Sequence, residues 1–258
     1  MSHTIQRFGY TIQQFGCLKI DGQIYSPSGE YEAGVISIGD SSLADVDTIL
    51  SWLPFEDKFV SNQVNLTSVS WEDLHTQALD RGRVINIDGK PYLCRSISTT
   101  RKNDSPSEWE RFVALYKGRD PVIHWRGKYT WGQEREHDLD EFSTHVAAYG
   151  WKNAGHKKFF PAGSRTPGIG FRPVLVPLAP SLEPEKVQKG AWVTLHLTNG
   201  IVASKILDVT QYDIILSGRL KYKTADYFSS CLMVDYDKGV FIVNRSAVCY
   251  VQRGWTPN

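Results

Sequence analysis

The opening forty residues alternate apolar and polar positions, as in Tyr10-Thr11-Ile12-Gln13-Gln14-Phe15 and Cys17-Leu18-Lys19-Ile20, with Gly and Pro at the breaks. A period of two puts successive side chains on opposite faces of an extended chain, so these runs predict short strands. Asp21-Gly22, between Leu18-Lys19-Ile20 and Gln23-Ile24-Tyr25, predicts a tight hairpin because Asp-Gly accepts positive φ angles. The same device returns at Asp88-Gly89, between Val84-Ile85-Asn86-Ile87 and Lys90-Pro91-Tyr92-Leu93-Cys94, but the shared pattern is too short to mark a duplicated domain. Two stretches change to helical spacing. Ser70 precedes Trp71 to Leu79 as a cap, acids fill the first turn, and Gly82 follows the end. From Ser107 to Tyr116 the spacing sets Trp109, Phe112, Val113 and Tyr116 on one face, and Gly118 stops the helix. A weaker helical pattern runs from Ser42 to Trp52.

From Pro121 to Leu178 the chain turns rich in Gly, Trp, Lys and His with little periodicity, which predicts long loops over a small sheet. Gly170-Phe171-Arg172-Pro173-Val174-Leu175-Val176 closes the stretch as a buried strand. Pro177, Pro180 and Pro184, with Ser181 and Glu183, then form a segment that can neither continue a helix nor enter the centre of a sheet. Beyond it, residues 192–197, 201–209, 213–216, 240–243 and 247–251 read as five short strands, which describe a small barrel. The expected organisation is an N-terminal strand and hairpin extension (1–66), a domain over 67–178, a linker over 179–189 and a barrel over 190–258. Two cores suit a chain of 258 residues.

Composition narrows the function classes. Lys plus Arg number 29 against 28 Asp plus Glu, and a net charge of +1 supplies no global field to steer the chain onto nucleic acid or a membrane. With 41% hydrophobic residues and no apolar run of about 18 residues, the pattern is that of a soluble folded protein with no membrane partner. The start, Met-Ser-His-Thr-Ile-Gln-Arg, lacks the basic and apolar regions of a secretory signal, so the cytoplasm is the expected compartment, and a virion component would read the same. Cys17, Cys94, Cys231 and Cys249 form no C-x-x-C pair and read as buried small hydrophobes. The 12 Tyr, 11 Phe and 8 Trp suit a β-rich fold with aromatic binding surfaces and suit a compact core equally.

Two segments resemble known families. Val193-Thr194-Leu195-His196-Leu197-Thr198-Asn199-Gly200 and Val209-Thr210-Gln211-Tyr212-Asp213-Ile214-Ile215-Leu216 resemble the strand signatures of Sm-like domains of the bacterial RNA-chaperone type. The resemblance implies a five-stranded Sm/SH3-like barrel that oligomerises as a ring, with single-stranded RNA contacted by Gln211, Tyr212 and Arg245. Asn244 and Ser246 depart from the pattern, where the family has an aromatic and a histidine. From Lys186 onward nine bases stand against five acids, a surplus of four that could hold a few phosphates. The segment from Thr67 to Leu178 is similar to C-type-lectin-like domains of formylglycine-generating enzymes and phage-derived variable proteins. Tyr92-Leu93-Cys94-Arg95-Ser96, Lys128-Tyr129-Thr130-Trp131-Gly132-Gln133-Glu134 and Gly170-Phe171-Arg172-Pro173-Val174-Leu175 carry that likeness. It implies a rigid frame with long loops that bind a protein or a glycan. The cysteine pair of the enzymatic members has no counterpart, since no Cys lies between Cys94 and Cys231.

The candidate chemistry is sparse. No nucleophile elbow, phosphate-binding loop or dinucleotide fingerprint is present, so no catalytic residue and no cofactor are expected. Residues Glu134 to His145 concentrate acids with His137 and His145, but no spacing there matches a recognised zinc motif, and no metal is expected. His124, Trp125, Trp131, Trp151 and His156, with neighbouring Lys and Arg, form an aromatic and basic set able to stack a sugar, a base or a cation. The expected fold is thus β-rich α+β: a C-type-lectin-like domain with long loops plus a C-terminal barrel. The expected function is non-enzymatic binding by a homo-oligomer. An RNA-binding regulator working through the barrel and an enzyme on the lectin-like frame, using His124, His156 or the acids around Glu136, are the alternatives.

Overall fold

The computed structural model describes residues 3–101, 105–137, 144–178, 186–197, 200–218, 222–223, 232–235 and 239–254. The chain divides into two compact units, Met1–Pro177 and Leu178–Asn258. Both are built mainly of antiparallel strands, and the first adds short helices, so the fold is β-rich α+β. No described helix is long and apolar enough to cross a membrane.

The first unit begins with β1 (His3–Arg7), β2 (Tyr10–Ile20), β3 (Gln23–Ile24), β4 (Gly29–Glu30) and β5 (Ile36–Gly39). It continues through β6 (Ile49–Phe55), β7 (Lys58–Ser61), β8 (Leu66–Thr67), α1 (Trp71–Thr76), β9 (Arg83–Ile87), β10 (Lys90–Arg95), α2 (Glu108–Leu115) and α3 (Asp120–Ile123). It ends with β11 (Tyr129–His137), β12 (Thr144–Gly150), β13 (Lys157–Pro161), β14 (Ile169–Phe171) and β15 (Val174–Pro177). One sheet runs β1-β2-β6-β7-β15-β10-β9, and a second runs β13-β12-β11-β14-β8-β4. Both Asp-Gly hairpins form, with Asp21 at φ 48 and Asp88 at φ 51. Both predicted helices carry full capping boxes, Ser70 with Asp73 and Ser107 with Glu110.

Several expectations are corrected. Residues 1–66 are not an extension of a domain that starts at 67: β2, β6 and β7 share a sheet with β15 and β10, and the expected boundary cuts β8. The weak helix over Ser42 to Trp52 is replaced by one 3-10 turn and β6, because Asp45 Oδ1 accepts the Asp47 and Thr48 N–H groups in a side-chain turn that the helix would have to break. The supposed loops after Pro121 contain β11, β12 and β13, whose period is hidden by a register shift between Trp131 and Arg135. The single closing strand expected over Gly170 to Val176 is two: the chain breaks at Arg172-Pro173, and β14 and β15 belong to different sheets. A Cβ at Gly170 would come within 1.9 Å of the Leu66 carbonyl oxygen, so only glycine lets β14 lie this close to β8.

Arg172 follows, 1% exposed, donating to Thr130 Oγ1, the Ser61 carbonyl and the His124 carbonyl while lying over the Trp109 ring. Burial pushes its pKa down to about 9, and three acceptors plus a ring face take the place of a carboxylate. A second buried charge is paired. Glu108 takes both Arg95 guanidinium nitrogens at 2.7 Å, the Ser98 N–H at 2.8 Å and Lys58 Nζ at 3.0 Å, which ties α2 to β10 and β7.

The second unit contains β16 (Trp192–Leu197), β17 (Gly200–Val209), β18 (Asp213–Ser217), β19 (Tyr222–Lys223), β20 (Leu232–Asp235), β21 (Val240–Asn244) and β22 (Val248–Arg253). Its strands order as β20-β21-β18-β17-β16-β22, with β19 beside β17. The five expected strands are all present. Asn199 and most of the insertion from Ser217 to Gly239 lie outside the described residues, as do residues 179–185 of the expected linker. The end of that linker is corrected: Val187 is 6% exposed in the core, Lys189 pairs with Asp208, and Gly190 N–H donates to the Ile206 carbonyl. Cys17 and Cys94 are buried as expected, while Cys249 is exposed and Cys231 lies outside the described residues.

Candidate functional site

The aromatic and basic set converges in part. α3 ends at His124, which takes a left-handed φ of 36, and the chain folds back so that Trp151 N–H donates to the carbonyls of Trp125 at 3.0 Å and Lys128 at 2.9 Å. A Cβ at Gly150 would meet the Lys128 carbonyl oxygen at 2.2 Å, and Gly150 itself sits at φ 128. Glycine is therefore what allows the two turns to touch. The next residue, Trp151, adopts φ 68, an uncommon conformation for a bulky side chain that costs on the order of 1–3 kcal/mol.

That conformation lays the indole flat on Tyr129, with ring centroids 5.6 Å apart and planes inclined by 11°. The Trp151 side chain also lies against Gly168, where a Cβ would collide with it at 2.7 Å. It remains 43% exposed. Tyr129 carries three neighbours in all, since Phe160 packs edge-on at 5.2 Å and His156 lies 5.7 Å away. His156 Nδ1 lies 3.1 Å from the Tyr129 hydroxyl and 3.2 Å from the Gly150 carbonyl. If Nδ1 carries the ring proton it serves Gly150, and Nε2 is left as an acceptor.

The other expected residues do different work. Trp131 is wholly buried, its indole N–H donating to the Val69 carbonyl at 2.7 Å, so it is a core residue and not a ligand contact. Trp125 is half-buried, with its N–H on the Gly118 carbonyl, and Arg126 lies over its ring. His124 is half-buried; burial first, then the positive charges of Arg172 and Arg7, lower its pKa against the opposing pull of Asp120. It is neutral at physiological pH. Sequence reasoning missed Tyr129 as the ring beneath Trp151 and Lys158 beside Phe160. The alternation Tyr129-Thr130-Trp131 was the available signal, since it puts Tyr129 on the face of the buried Trp131.

In the second unit Gln211, Tyr212 and Arg245 come together. Thr210 Oγ1 accepts the N–H groups of Tyr212 and Asp213, forming the turn from β17 to β18. Arg245 N–H donates to the Tyr212 carbonyl at 2.9 Å, and its guanidinium donates to the Thr210 carbonyl at 2.9 Å. Tyr212 is 70% exposed. Gln211 and Arg245 line an open groove of about 430 Å³ with Lys189, Asp208, Val187 and Ile206. The departures at Asn244 and Ser246 have a local use: Asn244 Oδ1 accepts both the N–H and the hydroxyl of Ser246, capping a 3-10 turn.

Nothing among the described residues resembles a nucleophile with its base. Cys94 is held as the thiol, its pKa pushed to about 12 by burial. His75 meets Asp80 at 2.8 Å and stacks on Trp71. No group of three metal-ligating side chains occurs among the described residues, and Asp138, Asp140 and Glu141 lie outside them. Arg165 is engaged by Asp73 and the Glu32 carbonyl, so the Gly163 to Gly170 loop is tied to the start of α1. No family model matches the chain, and no curated protein or solved structure matches it.

Proposed function

We propose that this is a non-enzymatic binding protein: a C-type-lectin-like frame over the first unit offers a ring-stacking platform at Trp151, and an Sm-like barrel in the second mediates self-association. The observation that carries it is Trp151 itself, a large ring held in a strained backbone conformation, flat on Tyr129 and open to solvent. Strain of this kind persists only where surrounding contacts enforce it, and it concentrates at sites that bind. A glycan is the favoured ligand, because a sugar ring stacks its C–H face on an indole while polar neighbours take its hydroxyls. Support for the barrel comes from the order β20-β21-β18-β17-β16-β22, in which the last strand of the unit, β22, pairs with its first, β16.

The test is a glycan panel read by intrinsic tryptophan fluorescence. Trp151→Ala is expected to abolish the response while leaving the far-ultraviolet circular dichroism unchanged, and an unaltered response rejects the platform. Light scattering is expected to return a multiple of the 29.2 kDa chain mass, and a monomer rejects self-association.

A second reading, RNA binding by the barrel, is favoured by the convergence of Gln211, Tyr212 and Arg245 on one turn. It requires Tyr212→Ala to weaken binding of a uridine-rich oligonucleotide by about 1–3 kcal/mol.

A further inference from the structure

We infer that the open edge of β1 pairs antiparallel with β1 of a second copy of this chain, joining two sheets about a two-fold axis at Ile5. The surface lies in the first unit and is separate from the self-association proposed for the barrel. β1 ends its sheet, pairs with β2 alone among the described strands, and is exposed at all five residues. Such an edge offers unpaired N–H and C=O groups to another extended strand.

The turn decides which groups point outward. Arg7 pairs with Tyr10 across Phe8-Gly9, a two-residue loop with positive φ at both positions, 53 and 80. In a hairpin of this kind the flanking residues exchange both backbone hydrogen bonds, and bonded and non-bonded pairs then alternate along the ladder. Arg7, Ile5 and His3 therefore bond inward to β2, while Thr4 and Gln6 aim their N–H and C=O groups at the free edge. The Gln6 side-chain amide donates to Thr11 Oγ1 at 3.0 Å, the close side-chain approach of a non-bonded pair. A two-fold register that uses every one of these outward groups sets Thr4 of each copy against Gln6 of the other. That register sets Ile5 against Ile5.

The side chains fit this partner. Ile5 lies opposite Ile12, which is buried in one cluster with Leu53, yet Ile5 itself is 38% exposed. An apolar row thus ends at the sheet edge, and a second Ile5 continues it. Thr4, Ile5 and Gln6 carry no charge, and the Arg7 guanidinium lies 5.5 Å over the Phe8 ring. Other sheet ends in this unit are guarded: β13 carries Lys157 and Lys158, and Arg83 of β9 donates to the Ile36 carbonyl of β5. Five residues make a small interface, so the pairing is reversible.

The experiment follows the mass of the full chain by sedimentation equilibrium up to about 1 mM, for wild type, Ile5→Lys, Ile5→Glu and an equimolar mixture of the two variants. Like charges directly opposite one another are expected to weaken association at least about tenfold in each variant alone, and the mixture is expected to regain it as a heterodimer. Thr4→Pro removes an outward N–H without touching the bonds to β2, and is expected to weaken association as well. Ile5 is partly exposed, so unchanged far-ultraviolet circular dichroism checks that the variants fold. A wild-type monomer throughout overturns the pairing. Oligomers that Ile5→Lys and Thr4→Pro leave unaltered overturn it and leave association through the barrel standing. Loss in both charge variants with no recovery in the mixture overturns the register at Ile5.

Discussion

The interior of the first unit is built around rings, whereas that of the second is aliphatic. Trp52, Trp71, Trp109 and Trp131 are almost fully buried in the first, packed with Phe15, Phe112 and Phe171, and each of those indoles donates its N–H to a backbone carbonyl or packs on another ring. The second relies on Val193, Leu195, Val202, Ile206, Ile214, Leu216 and Val243. The difference changes what an exposed aromatic means. Around Trp151 the platform is the rim of an aromatic core, so its orientation is set by rings already packed beneath it. Tyr212 stands on a polar turn, where its backbone is held by the Thr210 hydroxyl and the Arg245 N–H and its ring is exposed.

Buried charge separates the units further, since the first contains the Arg95–Glu108–Lys58 network while His196, 5% exposed, is held neutral by burial at a pKa of about 4 in the second. Glu108→Ala is therefore expected to be the most damaging single change, costing about 3–5 kcal/mol because Arg95 is left buried without its carboxylate. Urea denaturation followed by tryptophan fluorescence checks this, and a loss below 1 kcal/mol would show that the network contributes little.

Next in size is an acid limb. Burial alone would raise the Glu108 pKa, but the Arg95 guanidinium, the Ser98 N–H and Lys58 bring it down from the ordinary 4.5 to about 2. A depressed carboxylate binds fewer protons folded than unfolded, so its contribution is complete above about pH 4.5 and is lost as pH falls toward 2. About 3 kcal/mol is expected to disappear across that window, and to do so less in Glu108→Gln. A flat profile between pH 5 and 2 would contradict the pairing.

The smallest expected effect tests the contrast directly. Tyr212→Ala should change stability by less than about 0.5 kcal/mol, because the ring is 70% exposed. A larger loss in thermal unfolding would mean that the ring packs against something in solution, as it would in a ring of subunits.

The alternation of apolar and polar residues, the two Asp-Gly hairpins, both capped helices and all five expected strands of the second unit were legible from local chemistry. The hairpins and the capped helices depend on contacts within a few residues, as does the turn that gathers Gln211 and Tyr212, and the strands show in their own alternation even where, as with β16 and β22, the partner is distant. The three strands between Tyr129 and Pro161 were not legible: they pair with their chain neighbours, but a register shift between Trp131 and Arg135 breaks the period and both faces of the sheet carry aromatic residues. The same limit governs the tryptophans. Trp131 and Trp151 read alike as residues, yet one donates to Val69 inside the core and the other lies open on Tyr129. Composition settles how many rings the chain must place. Which of them are buried depends on the sheet register and on the glycine at 150 that lets two distant turns meet, and those are decided only when the strands pair.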